Sequence, residues 1–325
     1  MTNVREEVQC AEERIRPFVR ETMLEHSPEL GAIGGANVYC KLEALQYTGS
    51  FKVRGAFNRM LVLSDEERAR GVVAASTGNH GAAVAYAAAK LGTTGIVFVP
   101  TGASPSKTTT IERFGGDVRT FGEDPADTER HARDFAREHG LTYISPYNDP
   151  LVVAGQGTIA VELERQLGAV DVVFASLGGG GLISGIAGYL KATNPGVRIV
   201  GCSPDNSRVM IESMRAGRIV DTPSFPTLSD GTAGGVEAGA ITFDLCRRLI
   251  DDTVTVTEPE IEEALRRFVH YHHVPIEGAA AVAVASYWKW CAGGDGLAGR
   301  TVVVVICGAN IDLGLLKRIL SSGRS

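Results

Sequence analysis

The sequence predicts an α/β protein of two domains, each built on a mostly parallel sheet flanked by helices. The chain has 325 residues, which is longer than a single domain with one hydrophobic core usually is. Short β-branched runs alternate with helix-length segments that carry apolar residues at helical spacing. This alternation is typical of βαβ units, in which a parallel sheet is buried on both faces. The strands are expected at residues 72–76, 95–100, 171–176, 198–203, 253–256 and 301–307, with helices at 79–91, 127–139 and 258–271.

Two blocks of this alternating pattern can be separated along the chain. One block covers about 64–145, and the turn-forming segment SPYNDP at 145–150 divides it from the second. We therefore expect a small domain at 64–145, inserted into a large domain made of 1–63 and 146–325.

The composition is that of an ordinary globular protein, with 44% hydrophobic and 22% charged residues and a net charge of -6. The charged runs mix both signs, so neither a nucleic acid nor a membrane is an expected partner. The six cysteines form no CxxC pair, which favours reduced thiols. No apolar run is long enough for a signal core or a membrane span, so we expect a soluble, cytoplasmic protein.

A first candidate for chemistry is Lys52 in the segment TGSFKVRGA, where it lies among small and apolar residues just before a predicted helix. A lysine in a dry pocket has a lowered pKa, which leaves a neutral amine that can attack an aldehyde. Taken alone, the simpler interpretation is a solvated surface lysine.

A second candidate is the segment ASTGNHGAAVAYAA, which connects a predicted strand to a predicted helix. The backbone N–H groups at such a helix start form an anion site of a size that suits a carboxylate. Helix capping by a Ser, Thr or Asn side chain is the alternative interpretation. The residues of this candidate site are Ser76, Thr77, Gly78, Asn79 and His80.

A third candidate is a run of four glycines that follows a predicted strand and opens a helix. Without side chains, several N–H groups can converge there on one phosphate. The run does not fit the dinucleotide fingerprint, because Ile183 stands where the third glycine belongs, and no P-loop lysine follows. A plain tight turn is the alternative. The four residues are Gly178, Gly179, Gly180 and Gly181.

In this order, the three segments resemble the fold type II enzymes that depend on pyridoxal 5'-phosphate (PLP), the tryptophan synthase β family, and within it the serine and threonine dehydratase branch. The resemblance extends over nearly the whole chain and includes AGQGTIAVE, SDGTAGG, IEGAAAVAVA and CGANID. It implies PLP bound in the cleft between the two domains. It also implies an ammonia-lyase, which removes water and then ammonia from a 3-hydroxy amino acid to leave a 2-oxo acid.

The resemblance also implies roles for individual residues. Lys52 would be the Schiff-base lysine and the base that removes the Cα proton, and Phe51 would pack against the cofactor ring. Asn79 would bond the ring hydroxyl. The glycines 178–181 would hold the phosphate, and the loop 76–80 would receive the substrate carboxylate.

Cys307 occupies the place where the family usually has a Ser or Thr beside the pyridine nitrogen. A thiol forms weaker hydrogen bonds than a hydroxyl, but like a hydroxyl it carries no negative charge. The ring nitrogen is then not kept protonated, which suits β-elimination because the electrons leave with the β-hydroxyl. Glu277 matches a family acid near the ring, and we expect it to orient neighbouring groups rather than to catalyse.

Other departures concern the serine racemases of the same branch. Thr77 replaces their second serine base, which makes racemisation doubtful. Ser203 and Val209 occupy the places of two acidic metal ligands, so no metal site is expected there. Three histidines at 270–273 lack a cluster of further ligands, and we expect no metal site there either.

The sequence leaves the substrate open. A serine or threonine type of substrate is the main hypothesis. The segment 229–243 has extra glycines and Glu237, which keeps a larger 3-hydroxy amino acid in view, such as phenylserine or a hydroxyectoine-pathway intermediate. A β-replacing enzyme, a racemase and a non-catalytic PLP-binding protein are less favoured alternatives. Family analogy predicts a homodimer or higher homo-oligomer. The sequence has no pattern of an appended regulatory domain, which favours a catabolic role.

Overall fold

The computed structural model describes residues 3–294 and 296–322. Within them, two sheets are covered by helices, and no helix is both long and apolar enough to cross a lipid bilayer. The strands are β1 (Leu24–His26), β2 (Asn37–Leu42), β3 (Val72–Ala75), β4 (Gly95–Val99), β5 (Asp117–Thr120), β6 (Thr142–Tyr143), β7 (Val172–Ser176), β8 (Arg198–Pro204), β9 (Asp252–Val256) and β10 (Thr301–Ile306). The helices are α1 (Val4–Ile15), α2 (Pro28–Gly34), α3 (Lys52–Leu61), α4 (Asp65–Arg70), α5 (Asn79–Leu91), α6 (Pro105–Arg113), α7 (Pro125–Glu138), α8 (Pro150–Leu167), α9 (Gly181–Thr193), α10 (Val209–Ala216), α11 (Ile241–Leu249), α12 (Glu258–His272), α13 (Gly278–Ala292) and α14 (Leu313–Ser321).

The larger sheet has six strands in the order β1-β2-β10-β7-β8-β9. All neighbours are parallel except β1 and β2. Strand β10 is a run of valines and isoleucine between β2 and β7, and five of its six residues are buried. A strand covered by helices on both faces takes such a continuous apolar sequence. The α/β class with mostly parallel sheets is confirmed.

The smaller sheet has four parallel strands in the order β5-β4-β3-β6. The inner strands β3 and β4 agree with the predicted segments. The edge strands β5 and β6 were not predicted, because β5 is largely exposed with Val118 as its one aliphatic residue, and β6 has only two residues. Edge strands need little apolar surface, so they give a weak sequence signal.

The smaller sheet lies wholly within residues 72–143, and the strands of the larger sheet come from 24–42 and 172–306. Helix α3 packs against α8 and also against α5. In α3, Val53, Phe57 and Met60 share an apolar cluster with residues of β3 and α5. Helix α3 therefore connects the two sheets through its packing, and the domain boundaries stay a prediction.

A buried network of charged side chains fixes α3 to the larger sheet. Arg54, in the first turn of α3, contacts Glu43 at 2.8 Å and Glu162 of α8 at 2.8 Å. Lys41 of β2 contacts the second oxygen of Glu162 at 2.6 Å. These four side chains have no exposed surface. Burial opposes ionisation of Glu162, but attraction to Arg54 and Lys41 outweighs it and lowers the pKa of Glu162 to about 2.

Replacing Glu162 by Gln should lower the free energy of unfolding by about 3–5 kcal/mol, since it leaves the buried cations Lys41 and Arg54 short of a partner. The wild-type contribution should disappear as the pH falls from about 4.5 to about 2, because the folded state then loses the charge it stabilises. Urea unfolding measures both effects. The matched control is Glu164→Gln on the same helix, which keeps an acceptor for Tyr189; equal losses in the two variants would contradict the assigned role of the network.

Candidate active site

A cavity of about 1200 Å³ opens where the carboxyl ends of strands from both sheets face each other. It brings together every residue that the sequence predicted for the site. These lining residues are Phe51, Lys52, Ser76, Thr77, Gly78, Asn79, His80, Gly178, Gly179, Gly180, Gly181 and Cys307, with Glu277 beside them. Loops that follow β3, β7 and β10 supply most of them, so the fold itself gathers segments that are far apart in sequence.

Lys52 is the first residue of α3 and is half-buried on the cavity wall. Its Nζ donates a hydrogen bond to the carbonyl oxygen of Pro146 at 2.8 Å and lies 5.2 Å from the centre of the Phe51 ring. Burial lowers the pKa of Lys52 to about 8, while attraction to the carboxyl group of Glu277 opposes that shift. The amine can therefore be neutral under mild conditions, as a nucleophile or base requires.

The loop after β3 presents backbone donors to the cavity. The Oγ of Ser76 accepts the N–H of Gly78 at 3.2 Å, and no side chain caps the start of α5. The capping alternative is therefore not what the structure shows. His80 is fixed by a bond of 2.8 Å between its Nε2 and the carbonyl oxygen of Ile144. Burial, with the nearby charge of Lys52, lowers the pKa of His80 to about 3, so its ring is neutral.

Asn79 and Glu277 form a connected polar group on the same wall. The Nδ2 of Asn79 donates to both carboxylate oxygens of Glu277, at 2.8 and 2.9 Å, and its Oδ1 accepts from Asn310 at 2.6 Å. The backbone N–H of Asn310 also donates to Glu277 at 3.1 Å. Burial raises the pKa of Glu277 to about 7, although Asn79 works in the other direction. These contacts fix the direction in which the amide of Asn79 points.

The glycine run connects β7 to α9 without a capping side chain. Gly180 has a φ of 84°, a left-handed conformation that favours glycine. At Gly178, a Cβ atom would lie 2.9 Å from the backbone of Thr232. The close approach of the 229–240 loop therefore requires glycine here, and the free N–H groups of the helix start are available to an anion.

Cys307 directly follows β10 and lines the cavity. Its carbonyl oxygen accepts the N–H of Phe51 at 3.1 Å, and its Sγ lies 3.9 Å from the Oγ of Ser176. Burial raises the pKa of the Cys307 thiol far above its ordinary value, so it is uncharged. Cys307 is thus a neutral group, as expected for the residue beside the pyridine nitrogen.

Sequence reasoning missed a turn and two ion pairs at the mouth of the site. The ring of Tyr147 packs where a Cβ of Gly179 would be, at 2.5 Å, and its hydroxyl accepts the N–H of Glu237 at 2.9 Å. Lys107 pairs with Asp230 at 2.6 Å, and Arg133 with Glu237 at 2.8 Å, each across the two sheets. Among these residues, the sequence drew attention only to Glu237, because it departs from the family's usual sequence in this loop. The other contacts join distant loops and leave no periodic pattern in the sequence.

The residues at the positions where no metal site was expected make other contacts. Ser203 is buried in β8 and donates to the carbonyl oxygen of Leu177 at 2.7 Å, and Val209 is buried at the start of α10. His272 lies 3.0 Å from the Oγ of Ser27. Among residues 3–294 and 296–322, no group of three or more His, Cys, Asp or Glu side chains could hold a metal ion.

These features fit PLP. An uncapped helix start behind a glycine run suits its phosphate, and the amine of Lys52 suits its aldehyde. The neutral Cys307 suits a ring nitrogen without a proton. The fold and the cavity thus define a site of the PLP-dependent type.

Comparison with known proteins agrees. The family model described as pyridoxal-phosphate dependent enzyme matches residues 15–308, and the chain belongs to this family. It is 39% identical to the L-threonine ammonia-lyase of Thermotoga maritima over 98% of this chain and 78% of that protein. It superposes with a TM-score of 0.93 on maize serine racemase (30% identity, 99% and 98% of the two chains) and on processed threonine deaminase isoform 2 of Solanum lycopersicum (33%, 98% and 87%). The expected family, the PLP cofactor and the class of ammonia-lyases are confirmed.

Covalent binding of PLP by the apoprotein should increase with pH around a midpoint near 8, because the pKa of Lys52 is lowered to about 8 and its neutral amine is populated above that value. Borohydride fixation at a series of pH values, followed by peptide mapping, measures the modified fraction. Lys52→Ala is the control and should give no adduct at this position. A midpoint near 10 would show that the amine is solvated.

Gly178→Ala should weaken PLP binding about tenfold, because the added Cβ forces the backbone of Thr232 and the glycine run apart. Titration of the apoprotein with PLP, followed by fluorescence, measures the affinity. Gly102→Ala is the matched control, since a Cβ there meets nothing within 4 Å. Unchanged affinity for Gly178→Ala would place the phosphate elsewhere.

Proposed function

We propose that this chain is a dehydratase for a 3-hydroxy amino acid of the serine or threonine type, which it converts to a 2-oxo acid and ammonia. The observation that carries the proposal is the amine of Lys52, with its lowered pKa, in one cavity with two uncapped helix starts. One helix start serves a phosphate and the other a carboxylate. The named activities of the relatives support the same reaction class.

The loop of residues 76–80 binds the α-carboxylate of the substrate in this proposal. Its N–H groups at the start of α5 have no capping side chain, and the favourable partial charge of the helix end adds to their hydrogen bonds. His80 contributes shape rather than charge, because its ring is neutral and fixed on Ile144. A carboxylate held there is oriented by one rigid segment, which restricts the position of Cα.

Lys52 is the base that removes the Cα proton. When bound, PLP supplies an electron-withdrawing ring system that makes this proton acidic. The carbonyl oxygen of Pro146 holds the Lys52 amine by one hydrogen bond and leaves its lone pair available when the amine is neutral. The Cα–H bond breaks towards Lys52, the Cβ–O bond breaks with loss of water, and hydrolysis of the released enamine gives ammonia and the 2-oxo acid.

The uncharged Cys307 and the fixed amide of Asn79 tune and orient the ring in this proposal. Without a carboxylate beside it, the ring nitrogen is not held protonated, which favours departure of the β-hydroxyl over storage of the electrons in the ring. Glu277 positions Asn79 through two hydrogen bonds. The proposal includes assembly as a homodimer or higher homo-oligomer and location in the cytoplasm, both by analogy with the family.

A racemase is the second candidate, because Thr77 lines the cavity and one of the similar structures is a serine racemase. The β-branched threonine has fewer accessible rotamers than serine, which disfavours it as a second base. Measuring the D-amino acid along with ammonia separates the two activities.

The PLP-loaded protein should produce ammonia and 2-oxo acid in equal amounts from L-serine or L-threonine, and Lys52→Ala should lower the rate by about 10³-fold or more, because the base is lost. Coupled assays with glutamate dehydrogenase and lactate dehydrogenase measure the two products. Lys289→Ala, a surface lysine of α13 paired with Glu260, is the control and should leave the rate unchanged. Retained PLP without ammonia from any 3-hydroxy amino acid would sink the proposal.

A further inference from the structure

The cavity lining carries a cluster of three charged side chains from two parts of the fold. Arg133 of α7 lies between Glu129, one helical turn earlier, at 2.7 Å, and Glu237 of the 229–240 loop, at 2.8 Å. All three line the cavity, and their side chains keep between 28% and 36% of their exposure. The cluster is thus open to a ligand and contains one cation and two carboxylates.

Glu237 is held in place by more than its ion pair. Its second oxygen accepts the Nδ2 of Asn148 at 2.8 Å, and its backbone N–H donates to the hydroxyl of Tyr147 at 2.9 Å. The carboxylate would therefore keep its position if Arg133 turned away. Such fixed acceptors lose little entropy when they bind a ligand.

Arg133 and Glu237 differ in the partners that each would keep if the other bound a ligand. If Glu237 binds a cation from a ligand, Arg133 keeps Glu129 as a partner and still stacks 4.2 Å from the ring centre of Tyr143. If Arg133 binds an anion instead, Glu237 keeps only the neutral amide of Asn148. An unpaired, partly buried charge is costly, so the cluster favours a cation.

The remaining charges of the described cavity lining balance one another, since four carboxylates face four cations outside the cluster. Lys107 and Asp230 neutralise each other, and Arg137 pairs with Asp134. Arg130 pairs with Asp127, a residue outside the lining. Over the whole described lining, six carboxylates face five cations, counting Lys52 and Glu277. The substrate carboxylate adds a further negative charge.

From this geometry we propose that Glu237, supported by Glu129, selects a substrate whose β-substituent ends in a cationic group, such as an ammonium. This inference rests on the proposed function, which it deepens by giving the chemical class of the substrate: a 3-hydroxy amino acid with a terminal amine in its side chain. Glu237 and Glu129 are specificity residues, and Lys52 remains the base of the reaction.

The test uses three amino acids without a β-hydroxyl, so that binding is measured without elimination. L-2,4-Diaminobutyrate, L-homoserine and L-aspartate have side chains of similar length that end in a cation, a neutral hydroxyl and an anion. Each is titrated into the PLP-loaded protein, with the absorbance of the cofactor and the thermal midpoint as two independent measures of binding. L-2,4-Diaminobutyrate should bind about fivefold more tightly than L-homoserine, and added salt should reduce this preference.

Glu237→Gln should remove the preference and leave the affinity for L-homoserine within about twofold, because the charge is lost while the amide can still bond Asn148. Glu129→Gln is the second variant and should reduce the preference partly. Asp127→Asn is the matched control: it removes one carboxylate from the same helix, outside the lining, and should keep the preference.

Equal affinities for the cationic and neutral ligands, or tightest binding of L-aspartate, would overturn the inference. Absence of binding by all three ligands would overturn it too. Ammonia release from L-serine or L-threonine by the same preparation is measured in parallel, so a failed preference with intact elimination leaves the dehydratase standing. Loss of both would remove the proposed function itself.

Discussion

The buried attraction between Arg54 and the carboxylates of Glu43 and Glu162 is the interaction on which the site most depends. Arg54 lies two residues after Lys52, so the network fixes the very turn of α3 that carries the reactive amine. An apolar anchor could hold the helix equally firmly. Buried charged groups, however, need particular partners at particular distances. They therefore allow one orientation of the helix rather than several.

Once α3 is fixed, the topology supplies the rest of the site. Parallel strands end at one edge of each sheet, and the segments that follow them begin helices whose first N–H groups have no partner in the helix. Helices α5 and α9 both start without a capping side chain, and residues at both starts line the same cavity as Lys52. The proposed binding of two anions near one amine would therefore rest on backbone geometry, with few charged side chains involved.

Much of this could be predicted from the sequence, because it depends on local signals. The runs of β-branched residues gave β3, β4, β7, β8, β9 and β10 but not β1 and β2. The segments around Lys52, Asn79 and the glycines gave the residues that the cavity brings together. Strands β5 and β6 were missed because an edge strand buries little. The contacts of Tyr147 and of Arg133 with Glu237 were missed for another reason: they join segments about 90–100 residues apart, and their geometry arises only when both sheets are in place.

The turn at Pro146 and Tyr147 contacts three parts of the site at once. Its carbonyl oxygen accepts from Lys52, its ring packs on the glycine run, and its hydroxyl holds the loop of Glu237. A shift of this turn would change the environment of the Lys52 amine, of the glycine run and of the loop that carries Glu237 together. Under the proposed function, a substrate that steadies the turn would strengthen retention of the cofactor to the same degree that the cofactor strengthens binding of the substrate, because thermodynamic linkage is reciprocal.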